Sequence, residues 1–121
     1  MKHLHQGRVL GREMNQRNAL IKTLIGSLIV HERITTTEAK AKEIKHYIDQ
    51  IVNKAKVARN EAGRRVAMIR ELQKYIPAMA TKKLLTDFSV RFEERKSGYT
   101  RVAKLEQRKS DGAKMAVIEF V

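Results

Sequence analysis

The sequence predicts an α+β fold in the order α-β-α-α-α-β-β, with a three-stranded sheet packed on helices and a basic N-terminal arm in front. Three observations carry this prediction. Apolar residues recur at helical spacing in four segments between residues 20 and 92. The period then changes, and two β-prone segments flank a polar loop near the C-terminus. The first fourteen residues hold few apolar side chains and many cations. A length of 121 residues and a 42% hydrophobic content fit one domain with a modest core, burying roughly two-thirds of its unfolded surface. The division expected is an arm over residues 1–14 and a single folded domain over residues 15–121.

The arm carries Lys2, His3, His5, Arg8 and Arg12, with Glu13 its one acid. Gly7 and Gly11 each precede an arginine, and glycine lets the backbone come close to a ligand. So little apolar surface cannot repay the entropy of ordering, so the arm is expected to be loose alone and to order against a polyanion. The first helix begins near Asn15, which can serve as N-cap, and runs to about Val30. Its stripe is Leu20, Ile21, Leu24, Ile25, Leu28 and Ile29, a wide buried face. Arg17, Asn18 and Lys22 lie off that stripe and face outward. Arg33-Ile34-Thr35-Thr36 is β-prone. Thr35-Thr36-Thr37-Glu38 matches a capping box and opens a second helix to about Val57, with Ile44, Ile48, Ile51, Val52 and Ala55 on one face.

Residues 58–63 read as a connection. Val66, Ile69, Leu72 and Ile76 mark a third helix, and Pro77 ends it or begins the next. Leu84, Leu85, Phe88 and Phe92 mark a fourth, ending before Gly98. Strands follow over residues 99–105 and 115–121, and the Asp111-Gly112 loop between them makes a hairpin. A lone hairpin is marginal, so the Ile34 run is expected to join it as a third strand. With no Trp and few rings, the core should be mainly aliphatic.

Composition also excludes. There is no cysteine, hence no disulfide and no thiolate metal site. No secretory leader is visible, and the longest apolar stretch is broken by Gly26 and Ser27, far short of the roughly 20 residues that span a bilayer. A cytoplasmic protein with no membrane association is expected. His3-x-His5 has no carboxylate or thiol nearby, so no metal site is expected. No phosphate-binding loop, dinucleotide fingerprint, zinc-protease helix or nucleophile elbow is present, and the acids suggest no catalytic pair. No enzyme activity, cofactor or small-molecule substrate is expected.

Charge points to the partner. Lysine and arginine number 26 against 13 acids, a net +13. This is the electrostatic footprint of a nucleic-acid binder, whose affinity comes first from phosphate neutralisation and counterion release. The candidate contacts are Lys2, His3, His5, Arg8 and Arg12 in the arm, and Arg17, Asn18 and Lys22 on the first helix. His31, Arg33 and Lys40 follow, then Tyr99, Thr100, Arg101, Lys104, Arg108 and Lys109. Several have a second reading. His31 can cap helix carbonyls, and Lys40 can belong to a solvated face. Tyr99 can stack an unpaired base or fill the core. The cationic hairpin can bind RNA or guard an edge strand. An architectural or helix-turn-helix DNA-binding protein is the alternative; it needs a short turn between two helices, and the helix-strand-helix reading around Ile34 argues against it.

An ordered series of short motifs runs the length of the chain. It contains His3, Gly7-Arg8, Leu10-Gly11-Arg12, Arg17, Ala19-Leu20 and Ser27-Leu28. His31-Glu32-Arg33-Ile34, Thr35-Thr36 and Ala39-Lys40-Ala41-Lys42-Glu43 come next. Gly98-Tyr99-Thr100-Arg101, Met115-Ala116 and Ile118-Glu119 close it. In this series the chain resembles the bacterial large-subunit ribosomal protein seventeen family. The resemblance implies a two-layer α/β fold and a non-catalytic structural role in the large ribosomal subunit. It also implies large-subunit ribosomal RNA and neighbouring large-subunit ribosomal proteins as partners. Leu4, Val9 and Glu13 depart from arm positions that are usually basic or polar in that family.

Overall fold

A computed structural model of the chain describes residues 10, 11 and 13–121. The first helix, α1, spans Met14–His31, and strand β1 spans Arg33–Thr37. The long α2 spans Glu38–Asn60, followed by a short 3-10 turn, Ala62–Arg64. Helices α3 (Arg65–Tyr75) and α4 (Ala78–Leu84) come next, then a second 3-10 segment, Asp87–Phe92. Strands β2 (Thr100–Lys104) and β3 (Met115–Phe120) complete the order expected from the sequence. The sheet is antiparallel with β3 in the middle, in the order β1-β3-β2. The Ile34 run therefore does join the hairpin, pairing Ile34 with Ile118.

The sheet packs one face on the helices. Ala116, Ile118 and Phe120 alternate along β3 into the core, where they meet the stripes of α1 and α2. Ile21, Ile25, Leu28 and Ile29 of α1 and Ile44, Ile48, Ile51, Val52 and Ala55 of α2 are all buried, as their spacing predicts. One end of the core is aromatic, not aliphatic. Phe88, Phe92, Tyr99 and Phe120 gather there, with edge-on contacts of 4.9 Å (Phe88–Phe120) and 5.4 Å (Phe92–Tyr99) between ring centres.

Four local expectations are corrected. The first helix is not capped by Asn15; the Glu13 carbonyl accepts the Arg17 N–H at 2.8 Å, so the helical ladder already runs at Glu13. The capping box does not form, because Thr35 to Thr37 remain paired with β3 as strand. Thr37 takes the N-cap position without a side-chain cap, and the Glu38 N–H finds the Lys114 carbonyl at 2.8 Å instead. The second helix runs on past Val57 to Asn60. The expected fourth helix is two pieces: Thr86 turns its hydroxyl onto the Lys83 carbonyl at 2.6 Å, and such local bonding competes with the helical ladder.

Two backbone positions fix how the layers meet. Gly26 of α1 lies against Pro77 so closely that a Cβ there would come within 2.7 Å of the proline ring. The glycine that interrupts the apolar stretch thus lets α1 approach the start of α4. Glu32 turns the chain from α1 into β1 with a φ of 66°, a region non-glycine residues seldom adopt. It is held from several sides. Its N–H bonds the Leu28 carbonyl at 2.6 Å, its carbonyl accepts from Phe120 at 3.2 Å, and its carboxylate takes Lys83 and Arg91.

Candidate nucleic-acid interface

Among the described residues, four glutamates are each shared between two cations, and that arrangement shapes the surface. Glu119 on the central strand lies opposite Arg33 on one side and Arg101 on the other, so the register itself brings both arginines to one carboxylate. The Nε atoms lie 3.8 Å (Arg33) and 2.9 Å (Arg101) from it. At the start of α2, Glu38 takes Lys42 at 2.6 Å, one helical turn on, and Lys104 of β2 at 3.7 Å. Glu71 of α3 takes Lys74 at 3.1 Å and Lys54 of α2 at 3.7 Å. Glu32 takes Lys83 at 3.2 Å together with Arg91.

Each of these four glutamates is thus straddled by two cations, and each cluster keeps a net positive charge. The carboxyls of Glu32, Glu38 and Glu71 respond accordingly. Glu32 is held below the usual carboxylate range by Arg91 first and Lys83 second, Glu38 by Lys42 before Lys104, and Glu71 by Lys74 before Lys54.

The sequence-predicted residues fall into separate places. Lys2, His3, His5, Arg8 and Arg12 lie outside the described residues. Arg17 and Asn18 stand at the start of α1 on its outer side, and Lys22, one turn on, reaches the Gln73 carbonyl of α3 at 3.4 Å. His31 is exposed in the last turn of α1; the cap there is the Glu32 N–H, not an imidazole. Lys40 is half-buried on the first turn of α2.

Arg33 and Arg101 share the sheet face turned away from the helices, in a row with Glu119. Thr35, Val117 and Ala103 form the next row of that face. Lys104 points to the other side, toward Glu38. Arg108 folds back on Asp111, with Nη2 at 2.6 Å and Nε at 3.0 Å from the two carboxylate oxygens, while Lys109 beside it is exposed. That two-point grip, and next the Ala113 N–H, hold the Asp111 carboxyl down at about 2.

Tyr99 and Thr100 are corrected outright as surface contacts. Tyr99 is completely buried. Its hydroxyl accepts from Lys56 Nζ at 3.0 Å and has the Arg95 carbonyl at 2.9 Å and the Asn53 amide oxygen as acceptors. Its N–H and that of Gly98 both point to the Asp49 carboxylate at 3.4 Å. Asp49, Asn53 and Lys56 recur at helical spacing on α2, so the Gly98-Tyr99 step is a clasp between the sheet and that helix. Thr100 is buried beside it, and its hydroxyl oxygen has no hydrogen-bond partner among the described residues.

Sequence reasoning placed Lys42 on the polar side of α2 and allowed its pairing with Glu38, but missed Lys54, Lys74, Lys83, Arg91 and Lys114 as cations near these clusters. Only the i, i+4 pair Glu38–Lys42 and the i, i+3 pair Glu71–Lys74 carry a sequence signal; the other partners come from distant elements. Among the described residues, no three histidines, aspartates or glutamates come together as metal ligands, and no helix is long and apolar enough to cross a membrane.

Paired cations thus lie on both the strands and the helices of the described part. Comparison with known proteins gives that arrangement a lineage. The family model described as Ribosomal protein L17 matches residues 20–121. The large ribosomal subunit protein bL17 of Thermus thermophilus is 40% identical over 122 residues, covering 100% of this chain and 99% of the relative. That of Shouchella clausii is 43% identical over 115 residues, covering 93% and 96%, and that of Sorangium cellulosum is 39% identical over 143 residues, covering 100% and 83%. On the family match and these near full-length similarities, the chain belongs to the ribosomal protein L17 family.

Proposed function

We propose that this protein is a structural constituent of the large ribosomal subunit, in the cytoplasm, that binds and stabilises large-subunit ribosomal RNA beside neighbouring ribosomal proteins and catalyses no reaction. The observation that carries the reading is the end-to-end similarity to relatives named as large-subunit proteins. The electrostatics support it. A phosphate that approaches Arg33 and Arg101, or Lys42 and Lys104, meets two cations already gathered by one carboxylate. Side chains held in place before binding lose less rotamer freedom on binding, so more of each contact survives as affinity.

The division of labour follows the sequence. The domain over residues 15–121 acts as the mount, and the arm over residues 1–14 adds Lys2, Arg8 and Arg12, with His3 and His5, as further phosphate or base contacts. On the domain, Arg17, Asn18, Lys22, His31, Arg33, Lys40, Arg101, Lys104, Arg108 and Lys109 are the proposed contacts. Deleting residues 1–14 tests this directly. The deletion removes the contacts of Lys2, Arg8 and Arg12, so the slope of log affinity against log salt should flatten by about 2 to 3. Incorporation into large subunits should fall with it. Unchanged incorporation, an unchanged slope, or equal affinity for duplex DNA and large-subunit RNA at matched salt would overturn the reading.

A further inference from the structure

The sequence treats Tyr47 and Tyr75 as unremarkable, yet the fold brings them to one place. Tyr47 stands on α2 and Tyr75 ends α3, and together they wall two adjoining cavities of about 160 and 110 Å³. Asn18 and Lys22 of α1 and Lys74 of α3 line the larger cavity, and Lys54 of α2 lines the smaller. Tyr75 is 43% exposed, an open position for a large ring, and Tyr47 is only partly buried against the core. Neither hydroxyl makes a hydrogen bond among the described residues. The Lys54 ammonium sits 4.9 Å from the centre of the Tyr75 ring, so the ring already holds a cation on its π-face.

We propose that this cleft between α1, α2 and α3 takes one unpaired RNA nucleotide, its base stacked on the tyrosines and its phosphates among the three lysines. The proposal rests on the ribosomal-RNA reading above and adds where on the chain a base is held. The chemistry selects the occupant. A stacked base needs an exposed aromatic face, a cation near the sugar-phosphate backbone and a polar group for the base edge. The tyrosines, the lysines and the Asn18 amide supply these in that order. Three lysines, Lys22, Lys54 and Lys74, stand against one acid, Glu71, which leaves the rim positive and favours a polyanion over an acid-poor protein surface.

The larger cavity lies well below the roughly 300–1,000 Å³ of a pocket for a whole small-molecule ligand, so only the base enters it and the sugar and phosphates stay on the open rim among the lysines. A base-paired nucleotide hides its faces within the stack; only an unstacked one can present a ring to tyrosine. Asn18 and Lys22, which line the cleft, are themselves among the proposed contacts of α1.

Binding of the full chain to large-subunit ribosomal RNA, measured over a range of salt, separates this from a general charge effect. Tyr75→Ala should weaken binding by about 5- to 150-fold and leave the salt slope unchanged, because a stacking contact is lost and no phosphate contact is. Tyr75→Phe keeps the π-face and should bind like the parent. Lys74→Gln should instead flatten the salt slope by about 0.7 to 0.9. Ultraviolet crosslinking of the unmodified chain should join the peptide containing Tyr75 or Tyr47 to an unpaired nucleotide, a readout that does not depend on any variant folding. If the parent binds and Tyr75→Ala binds equally well, the cleft is refuted and the RNA reading stands. A crosslink to another ribosomal protein at Tyr75 would likewise overturn the cleft. If the parent does not bind the RNA at all, both readings fall.

Discussion

The two sides of α2 use tyrosine in opposite ways. On one side, Asp49, Asn53 and Lys56 close around Tyr99, which arrives from the start of β2 and is completely buried. On the other, Tyr47 and Lys54 look toward Tyr75 across a cleft that remains open. Each side has a tyrosine ring beside a lysine ammonium, at 5.0 Å for Lys56 over Tyr99 and 4.9 Å for Lys54 over Tyr75. The distance from ammonium to ring centre is nearly the same, but Lys56 also bonds the Tyr99 hydroxyl, and the surroundings decide how each pair is used. Around Tyr99 the hydroxyl is satisfied and the ring packs on Phe92, so the residue holds the sheet to the helix layer. Around Tyr75 the ring meets the Lys54 ammonium but stays 43% exposed, so part of its surface is open to a further contact.

The sharpest way to break that contrast is truncation. Tyr99→Ala removes a fully buried aromatic and should cost about 3–5 kcal/mol of folding stability, measured by denaturant unfolding. Tyr75→Ala should stay within about 0.5 kcal/mol of the parent, because it lies outside the core. Equal losses at the two positions would show that the cleft side is as structural as the clasp side. A finer cut is Tyr99→Phe, which keeps the ring and deletes the hydroxyl. Lys56 and the Asn53 amide then lose a partner at a part-buried site, and the cost should be about 0.5–1.5 kcal/mol. No measurable loss would mean that the ring alone fastens β2 to α2.

The contrast also marks what a sequence can and cannot carry. Element type and order were legible because periodicity reports burial directly. The α1 stripe, the α2 stripe and the alternation of Ala116, Ile118 and Phe120 all face the core as spacing demands. Ends were less legible because they depend on partners far along the chain. Glu38 is capped by the Lys114 carbonyl, 76 residues away, so the local Thr35-to-Glu38 pattern loses to a strand that stays paired. Tyr99 sits in a polar, cationic stretch that reads as surface, and only the docking of β2 on α2 turns it inward. Tyr47 and Tyr75 carry no signal at all, since their meeting requires α2 and α3 to pack side by side. Among the described residues, Arg33, Arg101, Lys104, Arg108 and Lys109 are exposed as expected, yet which acid Arg33, Arg101 and Lys104 share was set by the strand register and by helix packing, neither of which composition contains.

Acid titration sharpens the comparison by the smallest effect. On the clasp side, Lys56 is held by two uncharged oxygens, the Arg95 carbonyl and the Tyr99 hydroxyl. On the cleft side, Lys74 and Lys54 are gathered by the Glu71 carboxylate, whose pKa lies below its ordinary value of 4.5 because of Lys74 first and Lys54 second. A carboxyl lowered in the folded state stabilises the fold fully above its ordinary value and loses that contribution as pH falls through the lowered one. The cleft lysines should therefore let go in acid while Lys56 does not. The group is exposed and solvent-screened, so the effect on stability is slight and the titration itself is the readout. Carboxyl-carbon NMR should place the Glu71 midpoint below 4.5. Lys74→Gln should raise it further than Lys54→Gln, and the Lys56 ammonium should keep its shift through the same range. A Glu71 midpoint at its ordinary value would mean that the lysines on the cleft rim are not gathered before a ligand arrives, leaving the clasp as the one preorganised side of α2.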